Sequence, residues 1–491
     1  MRKKTTIRFL TLCLALVLGV GLFAACGNDE LPEQPIELLV DMHGWMPTLN
    51  TVPTLESPKV LNAPRLLAQE FERQTGIKIK WAYSKPVGGL EDEMGQWFTT
   101  QIAGDSCPVI AFSWGSRFQD RNYYVDLTEI MNRKNEFVEG NEVWKDMYEP
   151  YLFAGGGGPV DARGRIVSVP ISLYPGPFAG YYYNMEIFEE HDISIPATFE
   201  QLIDTSKEIQ SHGYTGIAPW GHFKKYGLDQ WVVQNTIGVP IAAKIIDQLD
   251  LDGDGRVSTL ETLKAVYADK FSPQQHDYAK EVYIQAKRYF TEALPAGWLD
   301  KDYMNEWDMG KIGMKEEGLW ALNDEYNRVS RDYDFGIFPA TLLSTDTTPY
   351  AAEMQMTQSG PFEPMPDLQL NIMKPAVDGN PELLEAAVKF LMFLTVPENV
   401  TMLCEEQGAA LGAVIGSGYN SVLDDYLGQP FPIVPQVSWP MAFTSAANDT
   451  LNRRFGLWVL GERTDAQFYA DVDEYQKAGA DALVAAMGLT I

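Results

Sequence analysis

The chain has 491 residues, with 67 Asp and Glu against 38 Lys and Arg and a formal net charge of −29. A surface this acidic repels phosphate backbones and excludes nucleic acid as a partner, while a hydrophobic fraction of 45% excludes a disordered chain and allows large cores. Four cysteines in such a length do not make a disulfide scaffold, and two or three domains or lobes can form without one.

Arg2, Lys3, Lys4 and Arg8 precede an apolar run, Phe9 to Ala25, that stops at Phe23-Ala24-Ala25-Cys26-Gly27. This is a secretory signal with a small-residue cleavage site, its apolar run at the short limit for a membrane-spanning helix. A cysteine directly after the small pair resembles the lipobox of bacterial lipoproteins, so residues 1–25 are expected to be removed and Cys26 to become the lipidated first residue. Residues 26–35 then form a polar tether that holds the protein to the membrane, on its extracytoplasmic face, through the lipid anchor. An ordinary signal with an incidental cysteine is the alternative. Cys107 and Cys404 remain for the folded part; two separate buried thiols are expected, with pairing left open.

Ile36 to Val40 reads as a strand, Ala63 to Thr75 as a helix with apolar residues at helical spacing, and Ile77 to Tyr83 as a second strand. With the helix-like Leu90 to Gly104 and the apolar Pro108 to Phe112, this predicts a doubly wound lobe with a parallel sheet. A Gly- and Pro-rich stretch, Gly155 to Pro159, leads into a hairpin around Asp161 to Gly164. Val167 to Tyr183 is strand-like but broken by Pro170, Pro175 and Pro177, as suits strands crossing between lobes. Thr198 to Ser211 is a helix in which Thr198 and Gln201 can form a capping box. Ile217 to about Arg331 reads as mostly helical, Tyr333 to Phe338 as a strand, and Pro381 to Thr395 as a long helix. The expected boundaries are residues 36–176 with 346–412 for the first lobe and 177–345 with 413–491 for the second.

Asp250-Leu251-Asp252-Gly253-Asp254-Gly255-Arg256-Val257-Ser258-Thr259-Leu260-Glu261 fits a calcium-binding EF-hand loop at each defining position. Carboxylates of Asp250, Asp252, Asp254 and Glu261 supply hard oxygen ligands, the carbonyl of Arg256 adds one, and Ser258 acts directly or through water. Gly255 allows the sharp turn. A single loop predicts a structural Ca²⁺ rather than a switch, since sensors pair their loops.

Several segments resemble the extracellular solute-binding proteins of ABC importers, of the maltose-binding type. They are Phe71 to Ile79, Gly104-Asp105 through Ala111, Pro170, Tyr183-Asn184 with Phe188, and Ile195-Pro196-Ala197-Thr198-Phe199-Glu200-Gln201-Leu202. Gly310-Lys311-Ile312-Gly313-Met314 with Gly318-Leu319-Trp320, Ala386 to Pro397, and Gly412-Ala413-Val414 complete the set, in family order. Val109 departs from the acidic residue usual after this proline, the last crossover lacks a proline, and Gly238 to Ala268 is an insert relative to the shortest members. The resemblance implies a type II periplasmic-binding-protein-like α/β fold with two lobes and a cleft between them, carrying the EF-hand-like insert. The implied function is capture of an oligosaccharide by a monomer and delivery to the permease subunits of an ABC importer.

Sugars need flat aromatic platforms edged by polar groups. Among 12 Trp and 23 Tyr, those in predicted loops after strands are the better candidates. Transferred by position, Trp114, Ser116 and Arg117 are expected to line the first lobe, Trp220 and His222 the second, and Trp320 and Trp439 to stack on the ligand, with Trp45 after the first strand. Trp81, Tyr83 and Tyr181 are weaker candidates, and core packing is the competing role for each aromatic. Closure is expected by hinge bending at Tyr174 to Pro177 and Ala410 to Ala413, without catalysis. The alternatives are a lipid-anchored glycoside hydrolase, or a sensor or adhesin on the same fold. Against an enzyme, the sequence carries no Gly-x-Ser-x-Gly elbow, His-Glu-x-x-His helix or phosphate loop, and adjacent pairs such as Glu316 and Glu317 are weak evidence for acid–base catalysis.

Overall fold

The computed structural model describes residues 35–52, 60–85, 91–113, 118, 121–154, 158–175, 179–219, 225–328, 330–361, 363–440 and 442–491. The leader, Cys26 and most of the tether lie outside them. Among the described residues, eleven strands follow in chain order: β1 Glu37–Asp41, β2 Lys78–Trp81, β3 Ile110–Phe112, β4 Val169–Pro170, β5 Ser172–Leu173, β6 Ala179–Asn184, β7 Thr215–Ala218, β8 Ile312–Gly318, β9 Phe335–Pro339, β10 Gln369–Ile372 and β11 Leu411–Gly412.

The first lobe is a five-stranded sheet in the order β2-β1-β3-β10-β4. β1 runs parallel to both β2 and β3, whereas β10 is antiparallel to β3 and β4. The expected parallel sheet is thus present with one antiparallel strand inserted, contributed by chain that returns from the second lobe. Its elements form for local reasons. The Ala63–Thr75 helix carries Pro64 in its first turn and ends on Gly76 at φ +75, a left-handed closure that a side chain disfavours. Its buried face, Ala63, Leu67 and Phe71, packs Phe71 against Phe390 and Phe393 of the Pro381–Leu394 helix at ring-centre distances of 5.0 and 5.3 Å.

The second lobe holds the sheet β7-β8-β6-β9, with β7 parallel to β8 and β6 antiparallel to both β8 and β9. β8 falls inside the stretch expected to be mostly helical. Helices cover this sheet; the Phe199–Ser211 helix starts on Thr198, whose hydroxyl accepts the Gln201 N–H. The Gln201 side chain reaches back to the N–H of Ala197 rather than that of Thr198, so the capping box is only half formed.

Two buried cores correspond to the lobes. Three passages join them. β5 pairs antiparallel with β11 to make a two-stranded ribbon from the first and last passages. The middle passage follows β9. Leu343 and Ala351 still pack in the second core, and Ala352 donates to the Pro240 carbonyl, so the return to the first lobe comes later than the expected residue 346. Ala413 and Val414 belong to the first core, and Leu423 is back in the second. Cys107 and Cys404 are free thiols; burial pushes Cys107 up to about 11 and Cys404 higher still. Among the described residues no single helix is long and apolar enough to cross a membrane.

Candidate functional site

Where β8 ends, Gly318 and Trp320 act as a unit. A Cβ on Gly318 would fall 2.3 Å from the Trp320 ring, so only glycine lets the indole lie across the backbone there. The ring meets Trp231 edge-on at 5.1 Å and Tyr174 at 5.7 Å. Tyr174 directly follows β5 at the first passage between lobes, and Trp231 precedes the wide helical turn Val232–Gly238 of the second. Both tryptophans are half-buried.

The segment after Trp320 is pinned by a buried charge cluster. Glu325, fully buried, accepts from Lys315 of β8 at 2.6 Å, from Arg331 at 2.5 Å and from the Trp307 indole N–H at 3.0 Å, with Arg328 at 3.2 Å. Burial opposes ionisation of Glu325, but Lys315 and its other partners outweigh it and hold the carboxyl below the usual range. Lys315 also lies over the rings of Trp307 and Tyr182, at 5.0 and 5.3 Å.

At the carboxyl ends of β1 and β3, the crevice end of an α/β sheet, Asp41 accepts from Lys85 at 2.6 Å, from the Phe112 N–H at 3.3 Å and from the His43 N–H at 2.9 Å. Lys85 also donates to the Phe112 carbonyl at 2.6 Å, tying the two strand ends together. Burial lowers the Lys85 pKa despite the attraction of Asp41. His43, stacked on Phe112 at 4.8 Å, is lowered to about 4 by burial first and Lys85 second, against Asp41. At neutral pH it is uncharged.

Of the expected sugar contacts, the structure places Trp320 at the junction. Trp45 is 6% exposed inside the first core, and Trp439 is 4% exposed inside the second. Trp439 packs edge-on against Phe271 and gives its indole N–H to the Tyr283 hydroxyl at 3.3 Å. Both are packed within their cores in this structure. Trp114, Ser116, Arg117, Trp220 and His222 lie outside the described residues. Tyr181 is fully buried, while Tyr83 is exposed and gives its hydroxyl to the Pro47 carbonyl. Trp231 and Lys85 were missed in the sequence. Trp231 carries no motif, and Lys85 is one surface-type residue whose burial depends on Asp41, 44 positions away.

The 250–261 loop brings three of its carboxylates together. Oxygens of Asp250, Asp252 and Asp254 lie within 4.8 Å of one another. Gly253 and Gly255 adopt φ of +78 and +84, the left-handed turns that bring those carboxylates round. Glu261 is buried and its oxygens accept from Leu251 N–H at 2.6 Å and Ser258 N–H at 2.8 Å, completing a capping box with Ser258 for the Thr259–Tyr267 helix. The Gly255 N–H, with that of Gly253, holds Asp250 below the ordinary carboxylate range. The donor set, all hard oxygens on one short loop, fits Ca²⁺.

The model of the family described as bacterial extracellular solute-binding protein matches residues 59–401. No curated protein matches the chain by sequence. Among solved structures, maltose-bound MalE3 of T. maritima is similar with a TM-score of 0.57 and 14% identity, over 90% of this chain and 99% of that one. A sugar transporter protein of Bacillus licheniformis in complex with stachyose gives 0.52 and 18%, over 90% and 100%. RafE from Streptococcus pneumoniae gives 0.51 and 16%, over 91% and 99%. At such identities the likeness is one of fold, and the fold they share is the two-lobed one built here from β1 to β11. With a family match across well over half its length, the chain belongs to the bacterial extracellular solute-binding proteins and works outside the cytoplasm.

Proposed function

We propose that the protein captures an oligosaccharide between its lobes and hands it intact to the permease subunits of an ABC importer. The observation that carries this reading is the indole of Trp320 laid on Gly318 beside Trp231 and Tyr174, at the point where the chain passes between lobes. Aromatic faces of this kind match the C–H faces of a sugar ring. The similar folds solved with maltose, stachyose and raffinose support the same solute class. Trp114, Ser116, Arg117, Trp220 and His222 are proposed as further contacts. Closure by bending at the passages between lobes would complete the site.

Two finer elements belong to the same reading. Cys26 carries the lipid that keeps the protein at the membrane surface. Residues Asp250, Asp252, Asp254, Arg256, Ser258 and Glu261 hold a structural Ca²⁺, for which an affinity of roughly 10⁻⁴ to 10⁻³ M is adequate outside a cell. The ion fixes the insert.

A melting screen with calcium present, against neutral, acidic and amino oligosaccharides and against peptides, tests the reading. A sugar at about 100 times its dissociation constant adds about 2.7 kcal/mol, a clear shift in midpoint. Recovery of that sugar unchanged, with loss of the shift in Trp320→Ala, is the expected result. Cleavage of the sugar, or a response to peptides alone, overturns it.

A further inference from the structure

Resting on the calcium reading above, we propose that Arg256 is a clasp between the two lobes and that calcium in its own loop tightens it. The backbone of Arg256 belongs to the second lobe. Its neighbour Val257 is buried in that core and donates to the Gln436 carbonyl at 2.9 Å, and Arg256 itself forms a parallel bridge with Gln436. Its side chain points the other way. The guanidinium donates to Glu363 at 2.7 Å, with the two side chains only 15% and 22% exposed, and lies 5.8 Å from the centre of the Tyr151 ring. Tyr151 packs against the first core and gives its hydroxyl to the Pro364 carbonyl at 2.9 Å.

Glu363 stands where the middle passage changes lobes. Before it, Thr357 donates to Phe431 and Gly360 to Gln429, both on second-lobe chain. After it, the Met365 carbonyl accepts from Tyr174, and Pro366 bridges Leu173 of the ribbon. The turn is made with Gly360 at φ +74 and Glu363 at φ +46, a left-handed conformation that a glutamate adopts only when its surroundings hold it. Arg256 is part of what holds it. Any opening that separates the loop from Tyr151 must pull the guanidinium off the ring and strain its bond to the carboxylate in the passage between lobes.

The seventh position of such a loop gives the ion its backbone carbonyl, which leaves the side chain free to reach elsewhere. In the structure the Arg256 N–H is held by Asp254 at 2.8 Å, so the residue's backbone position depends on a proposed ligand on one side and its own carbonyl on the other. Ordering the loop therefore orders the root of the clasp. By linkage, whatever calcium adds to the clasped state, clasping adds to calcium affinity.

Hydrogen exchange of the mature chain, with calcium chloride or with EGTA and no sugar, separates the two claims. Calcium should slow exchange within 250–261, which reports binding. It should also slow exchange of the peptide bearing the Tyr174 amide by about fivefold, which reports the clasp across the junction. In Arg256→Met the carbonyl ligand is kept, so loop protection should persist while the Tyr174 response is lost; Glu363→Gln, more conservative, should halve it or more. No protection in the loop overturns the calcium reading and the clasp's dependence on it. Loop protection with no change at Tyr174, or an Arg256→Met variant that responds like the unmodified chain, overturns the clasp and leaves calcium binding standing.

Discussion

Each lobe buries a carboxylate, and the two neutralise it in different ways. Asp41 in the first lobe has one cation, Lys85, and two backbone N–H groups. Glu325 in the second is the hub of three cations and an indole. A single tie fails when either end is lost. A hub tolerates the loss of a spoke but not of its centre, because Lys315 and Arg331 then lose their shared carboxylate in the interior.

The largest effect should follow Glu325→Ala, which strands Lys315 and Arg331 in the interior. A loss of about 5 kcal/mol is expected in urea unfolding, and a loss below about 1 kcal/mol would show that water or rearrangement replaces the hub. Lys85→Ala comes next at about 3 kcal/mol, and Lys85→Met combined with Asp41→Asn should recover most of it, since breaking a buried pair costs more than removing both charges. If the double variant is no better than the single, the pair is not a coupled unit.

Acid should find the first lobe before the second. The folded-state pKa of His43, about 4, lies below its ordinary 6.5, so protonation favours the unfolded chain. Its contribution is fully present above pH 6.5 and is lost as pH falls toward 4, by about 2 kcal/mol after allowing for its partial exposure. His43→Asn, a residue that tolerates the φ of +52 there, should show a correspondingly smaller drop in urea midpoint between pH 7 and pH 4. Equal drops in both chains would remove His43 from the acid response. The smallest effect is a spoke: Arg328→Ala, 21% exposed, should cost about 1 kcal/mol or less.

Much of this architecture was legible where the information is local. The turn that gathers Asp250, Asp252 and Asp254 reads from their alternation along the chain, and the Ala63–Thr75 helix reads from its apolar spacing. What escaped is non-local. β8 carries Gly313, Lys315, Glu316, Glu317 and Gly318, a poor strand by propensity; it is one because β7 and β6 flank it and Glu325 meets its lysine. β10, Gln369–Ile372, is too short and polar to announce a central strand. Among the aromatics, residue type separates nothing. Trp45 and Trp439 went into the cores and Trp320 to the junction because of what surrounds each, and Gly318, two positions before Trp320, was the one nearby signal.

The placement of β10 also bears on how the molecule is made. β3 and β4 have no strand between them until residues 369–372 arrive, so the first lobe cannot finish its sheet while the ribosome is still adding the second. Pairing across so much intervening chain is slow. A polypeptide whose leading lobe cannot complete its sheet early stays incompletely folded until the chain beyond residue 372 is present.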